Sequence, residues 1–170
     1  MQVDCTNDGW PIPHESFDLA IFSEVIEHIN RHPQDPLSEI NRMLVPGGKL
    51  MLTTPNVTSF KKVRLLSDGD WDYDSATFDG AWGHRYEYSH YQMRVCLKNT
   101  GFAPVSLATE DVYIDDPRGL QASVEMFWLA AAKVFSGKPK QAVKLYRHRG
   151  SGLFFLCRKT GTPGTARFRI

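Results

Sequence analysis

Two apolar runs, FDLAIFS at residues 17–23 and KLMLTTPN at 49–56, flank a segment, DPLSEINRMLVPGG, that reads as a helix. This pattern narrows the fold more than any other feature of the chain. Two strands joined through a helix lie parallel in one sheet, because neighbouring antiparallel strands need only a short turn. The near-continuous apolarity of residues 17–23 also predicts a strand buried on both faces. In the connecting helix Asp35 is the expected N-cap and Pro36 the first helical residue, and Leu37, Ile40, Met43 and Leu44 recur at helical spacing. Gly47 and Gly48 are expected to stop it. Glu24 onward reads as a short helix-like stretch closed by Pro33.

The rest of the chain extends the α/β alternation. MQVDC reads as a short strand at the N-terminus, and TNDGWPIPHES as loop. Residues 57–88 are a long polar and aromatic stretch in which Asp68, Asp70, Asp72 and Asp74 alternate with Trp71 and Tyr73, the composition of a lid-like insertion. Ser89 and Gln92 form a capping box opening a helix over 90–100, with Gly101 ending it. A strand of modest strength (APVSLATEDV), a helix over 119–135 and a last strand, GLFFLCRK at 152–159, complete the pattern. Residues 1–160 form one domain with a basic helical insertion at 114–149, and 161–170 are a frayed tail.

Length and composition suit a single domain: 170 residues, 42% apolar. Three widely spaced cysteines, Cys5, Cys96 and Cys157, without a C-x-x-C pair point to reduced thiols and a cytoplasmic setting. The charge is split. Residues 1–125 hold all 19 acids against 10 Lys and Arg, net −9, and residues 126–170 hold 10 Lys and Arg and no acid, net +10. Such a split means a self-complementary protein or a basic surface for an anionic partner. The helix 119–135 carries Phe127 and Trp128 on an apolar stripe and is followed by Lys138, Lys140, Lys144, Arg147 and Arg149. Residues 133–149 can therefore contact an anionic membrane surface or an anionic acceptor; alternatively the stripe packs on the sheet and the cations balance the acidic part.

The ordered pieces VDC, PIPHESFDLAIFSEVIEHI, DPLSEINRMLVPGGKLMLTTPN, HRYEYSHYQMRVCLKNTGF and the last strand resemble the later two-thirds of a class I S-adenosylmethionine-dependent methyltransferase. The resemblance implies a Rossmann-like core, truncated at its N-terminus, with a mostly parallel sheet and a helical insertion before the last strand. It implies S-adenosylmethionine as cofactor, with Asp4 accepting from the adenine amino group, the backbone of Cys5 facing the adenine ring, and Ser23 and Glu24 passing the methionine end. Small-molecule, glycan, lipid-linked or RNA acceptors are all compatible with it.

Glu24, Glu27 and His28 at i, i+3 and i+4 share one face if the stretch is helical. Two carboxylates and an imidazole suit Mg²⁺ or Mn²⁺. Two branches of the family, RNA 3′-terminal 2′-O-methyltransferases and quinone-biosynthesis O-methyltransferases, use E-x-x-E-H with a later histidine, and His84 falls at that histidine. Glu24, Glu27, His28 and His84 are then the metal ligands, with Glu24 and His28 nearest the chemistry. In other class I members the same pattern is present without a metal, and His28 caps or packs locally. His14, His32, His90 and His148 have no partner spacing and are expected at the surface.

The family's G-x-G loop after its first strand has no counterpart; GSG at 150–152 precedes a strand. The expectation is that a preceding segment or a partner chain supplies it, that residues 1–16 lack a neighbour, and that the chain alone binds the cofactor weakly. The competing reading is a non-catalytic methyltransferase remnant that binds a partner chain through an exposed sheet edge.

Overall fold

The structure, a computed structural model, describes residues 2, 4–6, 9–70, 83–110, 117–141 and 148–164. Four strands form one sheet: β1 (Phe17–Ser23), β2 (Leu44–Pro55), β3 (Phe102–Glu110) and β4 (Gly152–Lys159). Their spatial order is β1-β2-β4-β3. The helices are α1 (Gln34–Met43), α2 (Phe60–Asp68), α3 (His90–Asn99) and α4 (Pro117–Phe135), with a short 3₁₀ turn at Ile26–His28.

The sheet is mixed, so the expectation of a mostly parallel sheet is matched in part: one pair is parallel, and the single strand β4 runs against the others. β1 and β2 pair parallel, as the strand–helix–strand pattern predicts, whereas β4 pairs antiparallel with both β2 and β3. β1, β2 and β3 thus share one direction, and β4 inserts between the last two against it. Periodicity identifies strands but not the slot a late strand takes in the sheet.

One face of the sheet carries the core. Phe22, Leu50, Leu52, Leu153, Phe155 and Cys157 point to that side and pack with Leu37 and Ile40 of α1 and Met93 and Leu97 of α3. Burial pushes the Cys157 thiol up to about 12 and Cys96 to about 11, so both behave as apolar core atoms. The opposite face is open among the described residues: Phe17, Leu19, Ile21, Met51, Phe154 and Leu156 are all exposed, Ile21 by 63%. β1 is therefore not buried on both faces, and it is also an edge strand here. Its apolarity marks a surface suited to further chain.

Local boundaries follow from the physics of caps and glycines. Helix α1 begins at Gln34 after Pro33, not after Asp35, which places Pro36 third in the helix. The first four helical N–H groups lack intrahelical partners, so proline fits there as well as at the first position. Met43, not the glycine pair, ends α1, and β2 starts at once with Leu44. Gly47 (φ 78°) instead makes the irregularity in the β1–β2 register between Phe17 and Leu19. The capping box of α3 forms as expected, with Ser89 accepting from the Gln92 N–H and the Gln92 side chain accepting from the Ser89 N–H.

The N-terminal segment is not without neighbours. Described residues 4–6 form a turn rather than a strand, and residues 10–16 are tied to α1. Arg42 donates to the Ile12 and Trp10 carbonyls, Glu39 accepts from the Trp10 N–H at 3.0 Å, and Ser16 N–H donates to Met43 O. The expected frayed tail is also anchored through residue 164: Asn41 donates to Gly161 O and the Gly164 N–H to Asn99 O. His32, His90 and His148 are half-buried, unlike the exposed His14: His32 Nδ1 accepts from the Gln34 N–H, and the His90 and His148 rings pack tilted at 4.8 Å.

Partial burial alone would raise the Glu39 carboxyl, but hydrogen bonds from Arg42 and the Trp10 N–H outweigh it and hold Glu39 below its ordinary 4.5. A carboxylate depressed on folding stabilises above its unfolded pKa, and that gain is lost as pH falls through the folded value. Glu39→Gln should therefore cost about 1 kcal/mol at pH 7, measured by urea unfolding, and roughly nothing near pH 3.

Candidate active site

β1 and β2 end side by side, because the strands are parallel and their registers align Ser23 with Thr53. The two hydroxyls lie 2.7 Å apart, and the Glu24 N–H donates to Thr53 O. Glu24 then leaves the strand at φ 50°, a left-handed conformation uncommon for a residue with a side chain. It is therefore exposed and outside the turn that comes next. The sequence pattern assumed a helix through Glu24, Glu27 and His28; the chain instead makes a single 3₁₀ turn beginning at Ile26.

Ile26 and Ile29 sink into the core and draw Glu27 in with them. Glu27 is fully buried, and its Oε2 accepts from Thr54 Oγ1 at 3.0 Å. Burial, reinforced by the neighbouring Glu24 charge, raises its pKa above the ordinary carboxylate value despite the Thr54 hydrogen bond. Among the described residues no hydrogen-bond donor meets Oε1. Its neighbour is His28 Nε2 at 3.7 Å.

Residues 83–88 close over this turn. The Arg85 and Tyr86 N–H groups donate to Glu27 O, and His28 Nδ1 lies 3.3 Å from Gly83 O. A carbonyl can only accept, so Nδ1 carries a proton and neutral His28 presents a lone pair on Nε2. Two acceptors, His28 Nε2 and Glu27 Oε1, then face each other, an arrangement satisfied by a proton or a cation between them. His84 joins them: its ring meets His28 edge-on at 4.9 Å, and its Nδ1 is 2.9 Å from Glu87 Oε1. Glu87, nearly buried, also pairs with the Lys62 ammonium of α2.

One ligand atom from each of Glu27, His28 and His84 lies within 4.8 Å of the others. The structure brings these three of the four sequence-predicted ligands together; Glu24 is not in the group. Two imidazoles and a buried carboxylate whose Oε1 lacks a donor are a donor set that fits a divalent cation. Thr54, Glu87 and Lys62 were missed from the sequence. Glu87 stands three residues after His84 in HRYEYS, and that spacing beside a histidine was the available signal.

The other predicted residues lie apart from this cluster in role. Asp4 is exposed, with Oδ1 accepting from the Thr6 N–H and hydroxyl, and these bonds lower its pKa, so it is ionised and fit to accept from an amine. Cys5 packs partly buried against the core. Arg31 Nη1 donates to Thr6 O, linking this turn to the segment after the 3₁₀ turn. Ser23 stands at the carboxyl end of β1, where open α/β sheets bind ligands. Of the expected lid over 57–88, residues 57–70 and 83–88 are described; 71–82, with Trp71, Asp72, Tyr73 and Asp74, lie outside the described residues. Gly150 of the GSG motif serves structure here, its carbonyl accepting from Asn56.

Residues 1–107 match the family described as a methyltransferase domain. The chain belongs to that family. No curated protein matches it. Among solved structures it is similar to an S-adenosylmethionine-dependent methyltransferase from Thermotoga maritima, at 15% identity and TM-score 0.57, with 92% of this chain and 61% of that one covered. A Methanosarcina mazei S-adenosylmethionine-dependent methyltransferase gives 10% identity and TM-score 0.56, covering 92% and 65%. A complex between the Haloferax volcanii Trm112 methyltransferase activator and a methyltransferase gives 18% and 0.55, covering 91% and 58%. At these identities the likeness is one of fold, the Rossmann-like methyltransferase α/β sheet. The chain spans about three fifths of the length of these structures.

Proposed function

We propose that this chain forms the acceptor-side part of an S-adenosylmethionine-dependent O-methyltransferase whose reaction centre is the carboxyl end of β1 and β2. The observation that carries this reading is the convergence of Glu27, His28 and His84 just after β1, with Glu27 bonded to Thr54 of β2, in a chain of the methyltransferase-domain family. Asp4 and the Cys5 backbone would hold the adenine, and Ser23 and Glu24 the methionine end. Glu27, His28 and His84 would hold Mn²⁺ or Mg²⁺, which when bound lowers the pKa of an acceptor hydroxyl and fixes its oxygen. The chain's own contribution is placement. Thr54 and Glu87 fix the orientation of the Glu27 carboxylate and the His84 ring, and the segment 83–88 closes the turn. S-adenosylmethionine, when bound, would supply a methyl group to the acceptor hydroxyl, whose proton would be lost to solvent or a base, with S-adenosylhomocysteine as the other product. Hydroxyl acceptors include small molecules, lipid-linked glycans and RNA ends.

A second reading, a non-catalytic remnant that docks a partner chain, is favoured by the open edge of β1 and the exposed apolar face beside it. Radiolabelled methyl transfer in a protein assembled from this chain and a glycine-loop half separates the two. Transfer that stops with a chelator and returns with Mn²⁺ supports the first reading. Transfer indifferent to chelator removes the metal from it, and no transfer to any hydroxyl acceptor favours the remnant.

A further inference from the structure

Helix α4 leaves its apolar side in solvent. Val124, Phe127, Trp128, Ala131, Val134 and Phe135 recur at i, i+3, i+4, i+7, i+10 and i+11, a single stripe. The sequence allowed this stripe to pack on the sheet. Instead Trp128 is 67% and Phe135 90% exposed, and Phe127 is exposed beside Trp128 with the rings edge-to-face at 5.7 Å. The helix is held from its other side: it packs on α2, Ala130 is buried, and Arg64 of α2 pairs with Glu125 at 3.3 Å. A stripe of Trp, Phe and Val facing water is large for a soluble surface and needs an occupant.

The residues just past the helix point to the kind of occupant. Gly137 (φ 74°) stops α4: its N–H donates to Val134 O and the Lys138 N–H to Lys133 O, a closed C-terminal turn. That turn sets the exposed Lys138 and Lys140 directly after Phe135. The charge continues the pattern, since residues 126–170 contain no acid. Arg149 is already engaged, donating to Thr58 O at 2.8 Å, and Lys144 and Arg147 lie outside the described residues. No helix among the described residues is long and apolar enough to cross a membrane. Aromatic residues along one side of a helix and ammonium groups just past its end match the interface of an anionic bilayer, where rings enter the acyl boundary and lysines meet phosphates.

We propose that α4, with Lys138 and Lys140 just past its end, forms a docking surface for an anionic lipid bilayer, holding the protein on the membrane plane. Such a surface would bring the active site to acceptors presented at a membrane. The docking itself does not depend on the catalytic reading.

The test is flotation of the whole chain with phosphatidylcholine vesicles, with and without phosphatidylglycerol. Anionic vesicles should carry the protein, and raising salt to about 0.5 M should reduce the bound fraction several-fold through screening. Phe127→Ser with Phe135→Ser should reduce binding by about ten-fold or more, and Lys138→Gln with Lys140→Gln by several-fold. All four side chains are exposed, so the fold does not depend on them, and the salt series on the unaltered chain needs no variant. Failure to float with anionic vesicles overturns the proposal. So does equal binding by the aromatic variant, or binding to an RNA homopolymer that persists without Phe127 and Phe135. Stripe-dependent dimers that exclude vesicles would make a second copy the occupant and overturn it too.

Discussion

Mn²⁺ at a hundred-fold excess over its Kd should stabilise the chain by roughly 2.7 kcal/mol, raising Tm by about 5–10 °C. His28 Nε2 and Glu27 Oε1 face each other as acceptors, so a bound cation would relieve a cost already present in the fold. Burial has lifted the pKa of Glu27, which means its charged form is disfavoured. Glu27→Gln keeps an oxygen for the Thr54 hydroxyl and removes that buried charge. Without metal the variant should therefore be no less stable than the unaltered chain. With Mn²⁺ it should show no rise. His28→Ala and His84→Ala should lose the rise as well, whereas Glu24→Ala should keep most of it, because Glu24 stands outside the cluster. Two imidazoles make the response to Mg²⁺ weaker than to Mn²⁺. Scanning calorimetry checks each of these. A rise that survives Glu27→Gln would place the ion elsewhere.

Asn56→Ala should cost about 3 kcal/mol of stability in urea unfolding and disturb the site at a distance. Asn56 is fully buried at the end of β2, and its side chain is saturated. Nδ2 donates to the His148 and Gly150 carbonyls, and Oδ1 accepts from the Thr58 N–H and hydroxyl. Its backbone N–H donates to Ser151 O, and it bridges to Tyr88. One side chain thus joins β2, the entry to β4 and the approach to α2, next to the segment carrying His84 and Glu87. Alanine leaves two buried carbonyls without that donor. If the node positions the site, the variant should also lose the Mn²⁺-induced rise in Tm while still folded. Asn56→Asp is a useful contrast, since it keeps the acceptor but loses both donors.

Local features of the chain were legible where chemistry is local. β1 and β4 end where their apolar runs end, and the Ser89–Gln92 capping box needed only the spacing. The start of α1 was misplaced because proline fits several first-turn positions equally. The cluster of Glu27, His28 and His84 was half legible. Glu27 and His28 are adjacent in sequence, but which of the two glutamates turns inward depends on Ile26 and Ile29 anchoring the turn and on Glu24 adopting a positive φ. His84 was reached only through family resemblance, since its contact with His28 spans most of the insertion. The open sheet face was not foreseen: the apolar run 17–23 reads as a strand buried on both faces, and the absent glycine loop pointed only to an exposed edge. The exposure of the α4 stripe was not decidable, because an amphipathic helix looks the same whether its apolar side meets a sheet or a lipid.

In the proposed enzyme the carboxyl ends of β1 and β2 form the cofactor site. Titration of S-adenosylhomocysteine into the ¹⁵N-labelled chain, followed by amide chemical shifts, tests it most directly. Weak binding is expected, roughly millimolar, or about −4 kcal/mol. The shifts should be confined to residues 4–6, 23–28 and 53–56 and should weaken several-fold in Asp4→Ala, in line with losing a charged hydrogen bond. A groove of about 610 Å³ lies between α3 and β3, lined by Tyr91, Arg94, Lys98, Phe102 and Pro104, and serves as the internal control. Shifts centred on that groove, or none anywhere at saturating ligand, would contradict the account.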